Sequence, residues 1–174
     1  IGCSMSCVEI LVASLLNSVA ENDSFILSKG HAAAELYATL NLMGDIDNEL
    51  LDTFYKNGTI LPAHPAPNKF SKIPFATGSL GHGFSIAAGI AKANKINNNS
   101  DFSFVLMSDG ETNEGTTWEA ANFAVAHKLD NLICIIDKNG LQGFGNTKDV
   151  MGETANFDIF NKIGFETFTI DGHN

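Results

Sequence analysis

Residues 101–137 alternate strand, helix and strand, and that order limits what the chain can fold into. DFSFVLM (101–107) and NLICIID (131–137) are short apolar runs of strand character. GTTWEAANFAVAHKL (115–129) between them has helical spacing. Two strands joined through a helix pair in parallel, because parallel strands need a crossover, and the crossover is right-handed. The expected fold class is therefore α/β: a parallel sheet flanked by helices. ETANFDIFNKIG (153–164) and FETFTI (165–170) predict one more helix and strand, after a loop over KNGLQGFGNTKD (138–149).

The first hundred residues fit the same plan. Val8, Leu11, Leu15 and Val19 mark a helix over 4–20, and FILS (25–28) a short strand. Gly30-His31 opens a second helix that ends at Gly44. DNELLDTFYKNG (47–58) predicts a third, with Asp47 as its cap and Gly58 as its stop. Residues 59–79 carry all four prolines and no period, and a loop this long is usually functional or disordered. It leads into GSLGHGFSIAAGIAKANK, where glycines give way to a helix.

Ligands of open α/β sheets sit beyond the carboxyl ends of the strands. Two loops leave those ends here, SDGETNEG (108–115) and DKNGLQGFG (137–145). Asp109 and Asn139 would face one crevice if their strands are neighbours. A carboxylate and an amide oxygen are hard ligands that suit Mg2+ or Ca2+ better than zinc. Gly110 allows close backbone approach, and the helix from Gly115 aims N–H groups at an anion. Together these residues describe a site for a metal-bound diphosphate. Read on spacing alone, Asp109 and Asn139 serve equally well as turn and cap residues. The formal net charge of −10 argues against nucleic-acid or anionic-membrane surfaces. Three cysteines, Cys3, Cys7 and Cys134, without metal-site spacing fit a reducing, cytoplasmic setting. ILVASLL (10–16) is too short to span a membrane.

SDGETNEGTTWEAANFAVAHKLDNLICIIDKNGLQ resembles the thiamine-diphosphate motif of the transketolase family. IGCSMSCVEILVASL, LSKGHAAAELYATLNLMG and HPAPNKFSKIPFATGSLGHGFSIAAGIA resemble three other family segments in the same order, so the likeness spans the chain. The pattern is most similar to the split transketolases, whose diphosphate-binding half is a separate N-terminal subunit. The resemblance implies one diphosphate-binding domain over 1–174, cut at both ends, with no pyrimidine-binding domain. It implies a transferase of carbohydrate metabolism that moves a two-carbon ketol unit from a ketose phosphate to an aldose. Its cofactors would be thiamine diphosphate and Mg2+, with Ca2+ as a substitute. Its partners would be sugar phosphates and a separate C-terminal subunit carrying the pyrimidine-binding domain, in a dimer or heterotetramer.

Carried over by position, Asp109, the side chain of Asn139 and the carbonyl of Leu141 would hold the metal. His31, Ser108 and Gly110 would contact the diphosphate. Gly78 and Leu80 would line the aminopyrimidine. His64 would face substrate and assist proton transfer. Glu114 and Glu119 match family acids near the subunit interface, Glu114 beside the partner's catalytic acid. Ser108 departs from the family's first glycine, and His82 stands where many relatives have Gln. Two family histidines would fall outside residues 1–174. Glu111 reads as a solvated loop acid, Trp118 as core, His127 as a surface residue and His173 as a turn residue. Other readings are a deoxyxylulose-phosphate synthase or 2-oxo-acid dehydrogenase component, a non-catalytic subunit, or a Mg2+-dependent phosphohydrolase using Asp109 as nucleophile.

Overall fold

A computed structural model describes residues 2–67, 70–154 and 157–173. Three strands form a wholly parallel sheet in the order β1-β2-β3: β1 (Ser24–Leu27), β2 (Ser103–Ser108) and β3 (Leu132–Asp137). The expected neighbouring of the two apolar runs holds, and Ser108 pairs in register with Asp137. Side chains alternate across the sheet, as the period of two requires. Phe25, Leu27, Phe104 and Leu106 face one core, shared with Cys7, Leu11 and Leu15 and with α3 (Ala33–Leu42). Ile26, Val105 and Met107 face a second core under α5 (His82–Ile96) and α6 (Gly115–Ala126). Helices thus cover both faces, and β2, buried along its whole length, is the central strand.

Small residues bring the second layer close. Ala87, Ala88 and Ala91 of α5 and Ala120, Ala121 and Ala124 of α6 are buried against the sheet and each other. Gly83 has a sharper requirement, since a Cβ there would lie 2.7 Å from the Ser28 Cα. Gly89, six residues along the same helix, has open space around it. Gly83→Ala should therefore destabilise the chain by about 1–3 kcal/mol through overpacking. Gly89→Ala should stabilise it by up to about 1 kcal/mol through helix propensity. Urea unfolding of the two variants checks the contrast.

Several expected elements are shorter or different. The first helix is broken into α1 (Gly2–Met5) and α2 (Val8–Leu11), followed by wide π-type turns over Val12–Ser18. The Gly30-His31 helix begins as a 3-10 turn (Gly30–Ala32) before α3. The 47–58 helix contracts to α4 (Asn48–Leu51). Asp47 does cap it, accepting from the Leu50 amide at 2.7 Å, but Tyr55 sits at φ +59 and its amide donates to Leu61, turning the chain away. The 138–149 loop is not irregular: Leu141–Gln142 (β4) and Gly145–Asn146 (β5) form a small antiparallel hairpin, followed by α7 (Thr147–Met151). The 153–164 helix reduces to α8 (Asp158–Ile163), and residues 155 and 156 lie outside the described residues. FETFTI (165–170) forms no strand. Phe165 packs on Phe84 and Phe160, yet Phe168 and Ile170 are exposed, and the segment has no strand partner among the described residues.

Candidate functional site: the carboxyl edge of the sheet

The carboxyl ends of all three strands open into one region. β1 leads through Ser28 and Lys29 into the turn bearing His31. β2 leads through Ser108 into a 3-10 turn over Asp109–Asn113 and then α6. β3 leads through Asp137 to Asn139 and the hairpin. The proline-rich loop supplies His64 and the Gly78–Gly81 turn.

Two close backbone approaches draw that loop in. A Cβ on Gly30 would lie 2.7 Å from the Gly78 amide nitrogen, so the turn before His31 packs backbone to backbone on the loop. Gly78 has φ +135, and a Cβ there would sit 2.7 Å from the His64 ring. His31, His64 and Gly78, distant in the sequence, are thereby brought together. Burial holds the His31 imidazole below its usual pKa, and the charges of Lys29 and His64 act in the same direction. A neutral ring at neutral pH can donate one hydrogen bond to an anion without carrying charge.

Asp109 is buried, at 1% exposure. Its Oδ1 accepts from the Gly110 amide at 2.8 Å, and its Oδ2 accepts from the Thr147 hydroxyl. No lysine or histidine pairs with it among the described residues. Asn139 follows β3 on the adjacent strand end, and its Oδ1 accepts from the Leu141 amide at 2.8 Å. Gln142 of the hairpin lies against Gly110, where a Cβ would meet its Cδ at 3.4 Å. Among the described residues no three His, Cys, Asp or Glu side chains converge on a metal position. A cation here would rest on one carboxylate with amide and carbonyl oxygens, which is the donor set of a hard ion such as Mg2+. The residues present would thus suit a hard divalent cation, with Asp109 as its carboxylate ligand.

Glu111 corrects an expectation. It is not a solvated loop acid but is wholly buried. Oε1 accepts from the Ser28 hydroxyl at 2.5 Å and the Gly81 amide at 2.8 Å, and Oε2 accepts from the Ser108 amide at 2.8 Å. It forms a capping box with Ser108 at the start of the Asp109 turn. One carboxylate thus ties the β1 end, the Gly78–Gly81 turn and the β2 end together. Ser28, Lys29 and Thr147 also escaped the sequence reading, and Asp137 was read only as a strand-end acid beside Asn139. Lys29 is buried and pairs with Asp137 at 2.5 Å. The capping-box spacing of Ser108 and Glu111 is a signal that could have found Glu111; nothing local marks the others.

Ser108 is buried, whereas Glu114 and Glu119 are exposed and pair with no positive group among the described residues. Glu114 stands at the N-cap position of α6, without a side-chain capping hydrogen bond, and approaches Gly81, where a Cβ would meet its Cβ at 2.9 Å. Leu80 lies half-buried just before Gly81, its carbonyl 3.1 Å from Nδ1 of the exposed His82. Trp118 is a structural residue, donating to the Thr112 carbonyl at 3.0 Å and stacking on Phe160. His127 is exposed beside Phe123, and His173 stands in a turn near Glu9. Among the described residues no helix is long and apolar enough to cross a membrane.

Comparison with known proteins places these residues in a family. The family model described as "Transketolase, thiamine diphosphate binding domain" matches residues 14–174. The chain is 37% identical to one subunit of the apulose-4-phosphate transketolase of Phocaeicola vulgatus, over 99% of this chain and 64% of that protein. It is 38% identical to a 6-deoxy-6-sulfo-D-fructose transketolase subunit of a Clostridium species, over 100% of this chain and 66% of that protein. The chain spans less than two thirds of the length of these relatives. Among solved structures, a transketolase variant from Pichia stipitis superposes with a TM-score of 0.75 at 31% identity, covering 82% of this chain and 23% of that one. A transketolase from Leishmania mexicana, at 24% identity, shares the fold with a TM-score of 0.79, over 94% of this chain and 31% of that one.

Proposed function

The chain belongs to the transketolase family, in its thiamine-diphosphate-binding domain, and on that premise we propose that it is the cofactor-binding subunit of a ketol transferase. The reaction is transfer of a two-carbon ketol unit from a ketose phosphate, or a ketose with another anionic group, to an aldose. When bound, thiamine diphosphate supplies the electron sink for cleaving the carbon–carbon bond. The residues of this chain bind and orient. Asp109, the Asn139 side chain and the Leu141 carbonyl hold Mg2+, and Gly110, Ser108 and neutral His31 receive the diphosphate. Gly78 and Leu80 line the aminopyrimidine. His64, beside His31 and Gly78, moves a proton at a substrate hydroxyl.

The observation that carries this reading is Asp109, a buried carboxylate without a cation among the described residues, one strand away from Asn139. A further point concerns substrate. The ten basic residues of the chain are all lysine, so no bidentate arginine grip on phosphate exists here. A bidentate grip on the anionic end of the sugar would then come from outside these residues, and a partner subunit carrying the pyrimidine-binding domain is the source we propose; exposed Glu114 and Glu119 would lie near that interface. Calorimetric titration with thiamine diphosphate tests the reading, with and without Mg2+ and with and without that subunit. Binding heat that requires Mg2+ is expected. Folded protein that gives no heat in either setting would overturn it.

A further inference from the structure

Asn139 differs from the other proposed metal ligands in that its value depends on which way round its amide sits. Its oxygen can ligate a cation; the same group turned over would present two N–H donors. Its surroundings distinguish the two ends. Nδ2 is 3.2 Å from Oδ2 of Asp137 and 3.2 Å from Oγ of Ser6, and donates to both. Oδ1 accepts from the Leu141 amide at 2.8 Å. The reversed amide would lose the two acceptors and set an N–H group against the Leu141 N–H.

The acceptors are themselves fixed. Asp137 Oδ2 also accepts from Lys29 Nζ at 2.5 Å and from the Ser6 hydroxyl at 2.6 Å. Lys29 Nζ lies 3.3 Å from Ser6 Oγ as well. The Lys29 and Asp137 side chains are 1% and 6% exposed. A buried ion pair of this kind contributes little net stability compared with apolar residues of similar volume, so stability alone does not account for it.

We propose that Asp137, held by Lys29 and Ser6, is a positioning residue that fixes the Asn139 amide with its oxygen, not its nitrogen, available to the divalent cation. The inference rests on the functional reading above. The arrangement ties the segment between α1 and α2 and the ends of β1 and β3 to the metal position, although none of Ser6, Lys29 or Asp137 is itself a ligand.

The test is a mutant cycle on the full subunit assembled with its partner, reading Mg2+ affinity by calorimetry at saturating thiamine diphosphate. Lys29→Met with Asp137→Leu removes the buried pair while keeping its bulk. The pair of changes is made beside native Asn139 and, separately, beside Asn139→Asp. A carboxylate at position 139 has oxygens at both ends and needs no orienting. Mg2+ affinity should fall about tenfold or more beside Asn139, as for other partners of metal ligands. Beside Asn139→Asp, where Asp137 Oδ2 faces a like charge in place of Nδ2, the paired change removes that repulsion and the affinity should not fall. Equal losses in both backgrounds would mean a merely structural role and would overturn the proposal. Ser6→Ala, a milder change, runs through the same cycle should the double variant not fold. It should lose about fivefold beside Asn139, the worth of one hydrogen bond, and nothing beside Asn139→Asp; equal effects again overturn the proposal. Absence of Mg2+-dependent binding by the unsubstituted protein would instead remove the functional reading, and this inference with it.

Discussion

Asp109→Ala is expected to abolish Mg2+-dependent binding of thiamine diphosphate while the chain stays folded. The carboxylate is buried and accepts from the Gly110 amide and the Thr147 hydroxyl. Its removal leaves those two donors short of an acceptor, a cost of about 1–3 kcal/mol each at most. That is tolerable for a domain whose total stability is about 5–15 kcal/mol. The effect on the metal is larger, because the variant takes away the sole carboxylate of the proposed ligand set. Affinity should fall more than the roughly 10–100-fold that losing an outer partner of a metal ligand costs. Calorimetry reports the affinity and circular dichroism the fold. Unchanged affinity would show that the metal lies elsewhere.

Glu111→Ala should act in the opposite way, on the fold before the ligand. Three buried donors, Ser28 Oγ, Gly81 N and Ser108 N, converge on this carboxylate. Stranding them costs about 1–3 kcal/mol apiece, less than additively, and the missing side chain adds a cavity. A loss of about 4 kcal/mol in urea unfolding is expected. Glu111→Gln keeps the volume but sets an amide N–H against the Ser108 N–H, so it should lose about 1–3 kcal/mol. The pair also differs with pH. Burial raises the Glu111 pKa, outweighing the hydrogen bonds from Ser28, Gly81 and Ser108 that lower it. The folded chain then binds this proton more tightly than the unfolded one. The resulting stability is full below the ordinary carboxylate range and is lost as pH rises through the raised folded value. Glu111→Gln should erase that part of the pH slope; an unaltered slope would mean the titrating group is another.

The sheet was legible in the sequence because β1, β2 and β3 are short apolar runs bounded by turn residues, and β2, buried along its whole length, reads as an unbroken apolar run. The 47–58 helix was overdrawn because Tyr55 adopts a left-handed conformation that no local rule demands of a tyrosine. FETFTI has strand composition, yet a strand also needs a neighbouring strand, and among the described residues it has none; only Phe165 packs on the core, while Phe168 and Ile170 stay exposed. The β4–β5 hairpin was missed because it is two pairs long, too short for alternation to show. The placement of Asp109 and Asn139 at adjacent strand ends could be read from residue type and the order of elements. Glu111 could not be told from Glu114 by type, since one is buried and the other exposed through partners 83 and 30 positions away from Glu111. Lys29 looked like any surface lysine until Asp137 came to meet it from 108 positions along.

Those separations bear on how the protein comes to be folded. The Ser28–Glu111, Gly81–Glu111 and Lys29–Asp137 contacts each close a long loop, and parallel pairing of β1 with β2 closes another. Loop-closure entropy must be met before such contacts give anything back, so topologies of this kind fold slowly. During synthesis Lys29 of the LSKGH segment cannot be buried with its ion-pair partner until a carboxylate 108 positions later has left the ribosome.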